Sequence, residues 1–169
     1  AFNKNKSEFA DLYLLANCSA YFGSDAGIRA LPTLKRKPIC SINFSPLLLH
    51  LTTHYKLLPI IFKKIKSIKT GQILSFKEIF ENKLHNIANS KLILEKGYEV
   101  VDNTNTEIKN LSIEVCQYLK GKHFYSTEEK LYQEKFQNLI TKYIDKKILG
   151  NHRPNIGKHF INQNLNLLN

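Results

Sequence analysis

A short stretch of small and polar residues near the start of the chain has the composition of an anion-binding loop. It consists of Gly23, Ser24, Asp25, Ala26 and Gly27. An apolar run precedes it and a segment with helical periodicity follows, so the loop is predicted to join a strand to a helix. A helix N-terminus offers unpaired N–H groups, and small residues let an anion approach them closely. These residues therefore predict a phosphate or diphosphate site.

The same loop has a purely structural interpretation as a tight strand-to-helix turn. Its spacing is neither the G-x-G-x-x-G pattern of dinucleotide-binding folds nor that of a Walker loop. In the binding interpretation, Ser24 donates a hydrogen bond to a phosphate. Asp25 would repel a diphosphate and fits better as a helix N-cap or as an acceptor for a sugar hydroxyl.

Asn43 is a further candidate, because it ends the next predicted strand. Ligands of open α/β sheets bind beyond the carboxyl ends of the strands. We therefore expect Asn43 to line the same cleft as Ser24. Turn chemistry before Pro46 also explains an asparagine at this position.

Other polar residues give weaker indications of chemistry. His50 and His54 are four residues apart, but no third ligand completes a metal site, and no metal is predicted. Glu78 and Glu107 each occupy the third position of a capping box, which explains both without catalysis. Arg153 is a candidate phosphate clamp. No Ser/His/Asp or Cys/His triad can be assembled, and the catalytic residues stay unassigned.

The elements that must position the loop are short. Ser7 is predicted to begin a helix, and strands are predicted over 20–23 and 38–43. The intervening helix, over 26–35, contains Pro32, which should kink or shorten it. Two short buried strands separated by a helix predict a parallel α/β sheet.

The second half of the chain is predicted to be rich in helices. Capping boxes begin helices at Ser75 and Thr104, and the segment 126–129 begins another helix. A strand is expected over 98–102 and a final helix over 156–168, whereas 60–68 fits either an edge strand or an extended loop. The predicted fold is α/β, a Rossmann-like parallel sheet flanked by helices, in a single domain over 1–169.

The formal net charge of +11 raises the question of an anionic partner. Of the 25 basic residues 22 are Lys and only 3 are Arg, whereas surfaces that read bases or clamp phosphates are rich in Arg. A nucleic acid is therefore disfavoured. A solvated surface, an anionic membrane surface and an anionic substrate remain open.

The apolar segments and the cysteines indicate the cellular compartment of the protein. No apolar run approaches membrane-spanning length, and no signal peptide opens the chain. Cys18, Cys40 and Cys116 lack metal-type spacing, and each lies in an apolar segment. We expect buried, reduced thiols in a cytoplasmic protein.

Several segments resemble, in order, the C-terminal part of a family of bacterial glycosyltransferases found with surface-polysaccharide genes. The similar segments span nearly the whole chain, and their combination is more specific than any one of them. They are residues 7–18, 21–27, 36–38, 42–44, 70–79, 103–104, 107–108, 126–129 and 156–160.

The resemblance implies one half of a GT-B fold, in which two Rossmann-like domains face a cleft and the C-terminal one binds the donor. It implies a nucleotide-diphosphate sugar as donor and a glycan or lipid-linked acceptor, with no cofactor and no metal. The loop 23–27 would meet the diphosphate, with Asn43 beside it. The chain would then be the C-terminal part of a longer enzyme whose N-terminal domain supplies the catalytic base. The enzyme would be cytoplasmic, or peripheral at the inner membrane face.

Two other functions stay open. One is a non-catalytic module whose basic surface binds an anionic partner such as RNA or a membrane. The other is a different nucleotide-using Rossmann-like enzyme, such as a sugar epimerase, although the lack of a G-x-G-x-x-G pattern counts against it.

Overall fold

The computed structural model describes residues 7–24, 27–45, 58–149 and 155–169, which form a mixed α/β structure. The predicted site residues Asp25 and Ala26 lie outside these ranges. So do the histidine pair at positions 50 and 54 and Arg153, together with the turn proline Pro46.

The N-terminal helix begins where the sequence predicts. Helix α1 spans Glu8–Asn17, and the side chain of its N-cap Ser7 accepts a hydrogen bond from the backbone N–H of Ala10 at 3.1 Å. None of its side chains is buried. Large apolar side chains of this helix are exposed: the exposed fraction is 77% for Phe9 and 56% for Leu12.

The two predicted N-terminal strands exist and pair in parallel. Strand β1 covers Tyr21–Gly23 and strand β2 covers Ile39–Ser41. A single 3₁₀ turn, Gly27–Arg29, leads into the short helix α2, Ala30–Leu34. The predicted longer helix is thus shortened to two small pieces, as expected from the proline at position 32.

Beyond β2, isolated bridges continue the parallel arrangement in the part of the chain that the structure describes. Phe44 pairs in parallel with Phe62, and Ile60 pairs in parallel with Ile156. The ladder stays irregular because Asn43 has a left-handed φ of 49° and Pro59 has no N–H to donate. The described ranges therefore contain two sheets of two strands each, which confirm an α/β structure but not the predicted Rossmann-like sheet.

The second sheet is antiparallel. Strand β3, Lys64–Ser67, pairs with strand β4, Tyr98–Val101, in a register that places Lys64 opposite Val101. Both alternatives for 60–68 are thus realised in part: the chain is extended as far as Lys63 and a strand from Lys64 onward.

Helices make up most of the second half, as predicted. The capping boxes of Ser75, Thr104 and Ser126 are all formed. The last predicted helix is shorter than expected: it begins at Lys158 and ends at Gln163, and a 3₁₀ turn over Leu165–Leu168 follows. The helices are α3 Phe76–Glu81, α4 Ser90–Glu95, α5 Asn105–Leu119, α6 Thr127–Tyr143, α7 Lys146–Leu149 and α8 Lys158–Gln163.

The core lies where the extended segments meet the C-terminal helices. The rings of Phe62, Phe76 and Phe136 form a cluster with centroids 5.0 to 6.2 Å apart. Ile60 and Ile156 are fully buried beside them. In the part of the chain that the structure describes, no helix has both the length and the apolar character needed to cross a membrane.

The cysteine prediction is only partly right. Cys40 is fully buried on β2, but Cys18 is half-buried and Cys116 is exposed. Cys116 lies on α5, whose apolar stripe is carried by Leu111 and Val115. The cysteine is outside that stripe and faces solvent. All three thiols are free.

Candidate ligand-binding cleft

A cleft of about 450 Å³ opens at the carboxyl ends of β1 and β2, and we call it the β1–β2 cleft. The sequence predicted that Ser24 and Asn43 share one cleft, and both line this one. Within the described ranges, the side chain of neither donates a hydrogen bond, and Oδ1 of Asn43 accepts one. Other polar residues in its wall are Ser45, Lys63, Ser90 and Asp102.

The two loop glycines flank the residues that are not described. Gly23 ends β1. The hydroxyl of Tyr21 donates a hydrogen bond to the carbonyl oxygen of Ser24 at 3.1 Å and so links the strand to the start of the loop. A Cβ built on Gly27 would meet nothing within 4 Å. Neither glycine has a positive φ, so backbone conformation does not demand glycine at either position.

Asn43 is held by a reciprocal pair of hydrogen bonds with Asn103. The backbone N–H of Asn43 donates to Oδ1 of Asn103 at 2.8 Å. The backbone N–H of Asn103 donates to Oδ1 of Asn43 at 2.6 Å. The Nδ2 of Asn103 also donates to the carbonyl oxygen of Phe62 at 2.7 Å. One buried side chain thus joins the end of β2, the extended segment before β3 and the start of α5.

The charged residues of the cleft are an ion pair. Lys63 Nζ lies 2.8 Å from Asp102 Oδ1, with side chains 30% and 67% exposed. Solvent weakens such an exposed ion pair, so breaking it to form contacts with a ligand costs little free energy. The sequence reasoning missed Lys63, Asp102 and Asn103. No spacing rule links them to Asn43, since they come from segments that only the fold brings together.

Glu107 does more than close its capping box. Its Oε2 accepts the N–H of Thr104, and its Oε1 accepts Lys64 Nζ at 2.7 Å and the Nδ2 of Asn164 at 3.3 Å. Burial by itself raises the pKa of Glu107, but these hydrogen bonds and the Lys64 charge outweigh it and hold the pKa below its ordinary value. The explanation of Glu107 as a cap alone is therefore incomplete.

His123 is paired with Glu114 in the interior. Its Nε2 lies 3.0 Å from Oε1 of Glu114, and both side chains are buried. Burial raises the pKa of Glu114 to about 7, although the N–H and the charge of Lys158 partly oppose this. Burial, with the Lys158 charge, lowers the pKa of His123. The Glu114 carboxylate also accepts the N–H of Lys158, so it joins α5 to the start of α8 and to the loop that carries His123, and neither residue of the pair lines the cleft.

The described ranges contain no group of three or more His, Cys, Asp or Glu side chains that could hold a metal ion. The cleft is lined by three serine hydroxyls, an amide, an ammonium group and one carboxylate. This set suits an anion that carries hydroxyl groups.

Comparison with protein-family models, with curated proteins and with solved structures finds no match to this chain.

Proposed function

We propose that this chain is the donor-binding domain of a GT-B glycosyltransferase, which binds a nucleotide-diphosphate sugar in the β1–β2 cleft without a metal. In this proposal β1, β2 and the extended segments around Ile60 and Ile156 form an abbreviated Rossmann-like layer. A second domain would supply the catalytic base, and the acceptor would be a glycan or lipid-linked sugar.

The observation that carries the proposal is the convergence of Ser24, Asn43 and Lys63 on one cleft at the carboxyl ends of parallel strands. Clefts in that position of an α/β fold are where nucleotides bind. The loop was singled out from its composition alone, whereas Lys63 joins it only through the fold. The ordered resemblance to surface-polysaccharide glycosyltransferases gives the donor class.

The cleft residues suggest how the donor would bind. Lys63 would form charge-assisted hydrogen bonds to the diphosphate, with Ser24 donating beside it. Asp102, released from Lys63, would accept from a hydroxyl of the sugar or ribose. Such contacts assist transfer by positioning the donor and by stabilising the negative charge of the departing diphosphate.

Thermal unfolding with added nucleotides tests the proposal. UDP, GDP, CDP, dTDP and ADP would each be added to the protein with magnesium or with EDTA. Ligand at a hundred times its Kd stabilises by about 2.7 kcal/mol, which corresponds to roughly 5–10 °C for a chain of this size. We expect one diphosphate to give such a shift equally with and without magnesium.

Three variants locate the binding site. Lys63→Gln should lower the affinity for the diphosphate by about tenfold or more, because it removes a hydrogen bond to a charged group. Lys66→Gln is the matched control, because Lys66 pairs with Glu99 at 3.1 Å on β3 and does not line the cleft. Gly27→Leu should fold, given the open space at its Cβ, and should obstruct the loop.

Equal affinities for Lys63→Gln and Lys66→Gln would refute the assignment of the cleft. Absence of a shift with every nucleotide, together with salt-sensitive binding to generic polyanions, would instead support the basic binding module.

A further inference from the structure

We propose that Asn103 is a positioning residue, which aims the side-chain N–H₂ group of Asn43 and the chain at Lys63 into the β1–β2 cleft. The inference rests on the proposed function for the identity of the ligand, a diphosphate. Its structural part concerns this chain alone and can be tested without a ligand.

The hydrogen bonds decide which way the amide of Asn43 faces. A backbone N–H can only donate, so the Asn43 atom that lies 2.6 Å from the N–H of Asn103 must be the carbonyl oxygen. The Nδ2 of Asn43 is then on the opposite side of the amide. It donates to no residue in the described ranges, and Asn43 lines the cleft. The cleft therefore receives a fixed donor, which selects a ligand oxygen.

The backbone of Asn43 needs the same partner. Its φ of 49° is left-handed, a conformation that costs roughly 1 kcal/mol or more for residues other than glycine and that asparagine tolerates best. The N–H of Asn43 donates a hydrogen bond to Oδ1 of Asn103. Asn103 is only 6% exposed, so its surroundings hold it in place. This bond holds Asn43 in the conformer that turns its side chain to the cleft.

Asn103 also fixes the charged groups on either side of it. Its Nδ2 holds the carbonyl oxygen of Phe62, and Lys63 is the next residue along that chain. Asp102, the ion-pair partner of Lys63, directly precedes Asn103. One side chain thus sets the relative positions of the amide donor, the ammonium group and the carboxylate.

The first test uses no ligand and compares Asn103→Ala with Gln133→Ala. Gln133 is the matched control: it is also buried and its side chain also makes two backbone hydrogen bonds, but both are to Ile156, which does not line the cleft. An amine-reactive acetyl ester labels lysines, and mass spectrometry gives the rate at Lys63 relative to Lys66. We expect Asn103→Ala to raise that ratio at least threefold and Gln133→Ala to leave it unchanged.

The second test measures the affinity for inorganic pyrophosphate by calorimetry, well below the unfolding temperature of each variant. Asn103→Ala should weaken binding at least tenfold, and Gln133→Ala less than twofold. In the double variant Asn103→Ala with Lys63→Gln, the fold-loss of affinity should be smaller than the product of the two single losses, because both substitutions disrupt the same contact with the ligand. A residue that only stabilises the fold would give independent losses.

Asn43→Asp keeps the test decisive if Asn103→Ala does not fold. Aspartate retains the acceptor for the N–H of Asn103 and tolerates a left-handed φ, but it replaces the N–H₂ donor with an anionic oxygen. We expect an unchanged unfolding temperature and at least tenfold weaker pyrophosphate binding.

Unchanged labelling in Asn103→Ala, or unchanged pyrophosphate binding in Asn43→Asp, would overturn the inference. If the unmodified protein binds neither pyrophosphate nor any nucleotide, the proposed function fails, and the labelling ratio alone then decides whether Asn103 positions the cleft.

Discussion

The buried ion pair between Lys64 and Glu107 gives the sharpest prediction about stability. The side chains are 12% and 5% exposed, and the two charged atoms are 2.7 Å apart. Removing one partner of such a pair leaves the other charge buried and unpaired, at a cost of about 3–5 kcal/mol. Glu107→Gln should therefore remove a large fraction of the roughly 5–15 kcal/mol that stabilises a protein of this kind.

Urea denaturation followed by circular dichroism at pH 7 measures this loss. With a slope of about 1–3 kcal/mol per molar urea, the midpoint should fall by more than about 1 M. Lys66→Met, which breaks the exposed Lys66–Glu99 pair, is the control and should cost less than about 1 kcal/mol. The double variant Lys64→Met with Glu107→Gln should lose much less than the two single losses combined, because no charge is left buried.

The pH dependence follows from the same pair. The pKa of Glu107 is lower in the folded protein than in the unfolded chain, so its contribution is complete above the unfolded value of about 4.5 and is lost as pH falls through the folded value. Glu107→Gln should remove that acid-sensitive part of the stability. A cost no greater than that of Lys66→Met, or an unchanged acid transition, would refute the reasoning.

Two further predictions concern the interior. The pKa of Glu114 is raised to about 7, so its contribution is complete below about pH 4.5 and is lost as pH rises through 7. In the unmodified protein the free energy of unfolding should therefore decline between about pH 4.5 and pH 7, and Glu114→Gln should make this decline shallower. A decline as steep in the variant as in the unmodified protein would contradict the prediction. A Cβ on Gly157 would lie 3.0 Å from Leu111 Cδ1, so Gly157→Ala should cost about 1–3 kcal/mol by calorimetry. Gly27→Ala, with open space around its Cβ, should stay within about 0.5 kcal/mol; equal losses would show that packing at Gly157 is not the cause.

The local elements were predictable because their causes are local. A capping box joins residues three apart, so Ser75, Thr104 and Ser126 could be identified as helix starts without knowledge of the fold. The strands β1 and β2 and the shortened helix between them follow from runs of apolar residues and one proline. The same local composition identified Ser24 and Asn43, which do line one cleft.

The tertiary structure alone decided which residues complete that cleft and which are buried. Asn43 and Asn103 are 60 residues apart, and Lys64 and Glu107 are 43 apart. No periodicity predicts such pairs, because they depend on how separate elements pack. The extent of the regular sheet was likewise not predictable: the strand predicted over 38–43 pairs regularly only at Ile39–Ser41, and Asn43 has a left-handed φ. Sequence by itself determined the helix starts, the two short strands and the candidate residues Ser24 and Asn43, because these depend on local composition, whereas long-range packing determined the partners that complete the cleft around them.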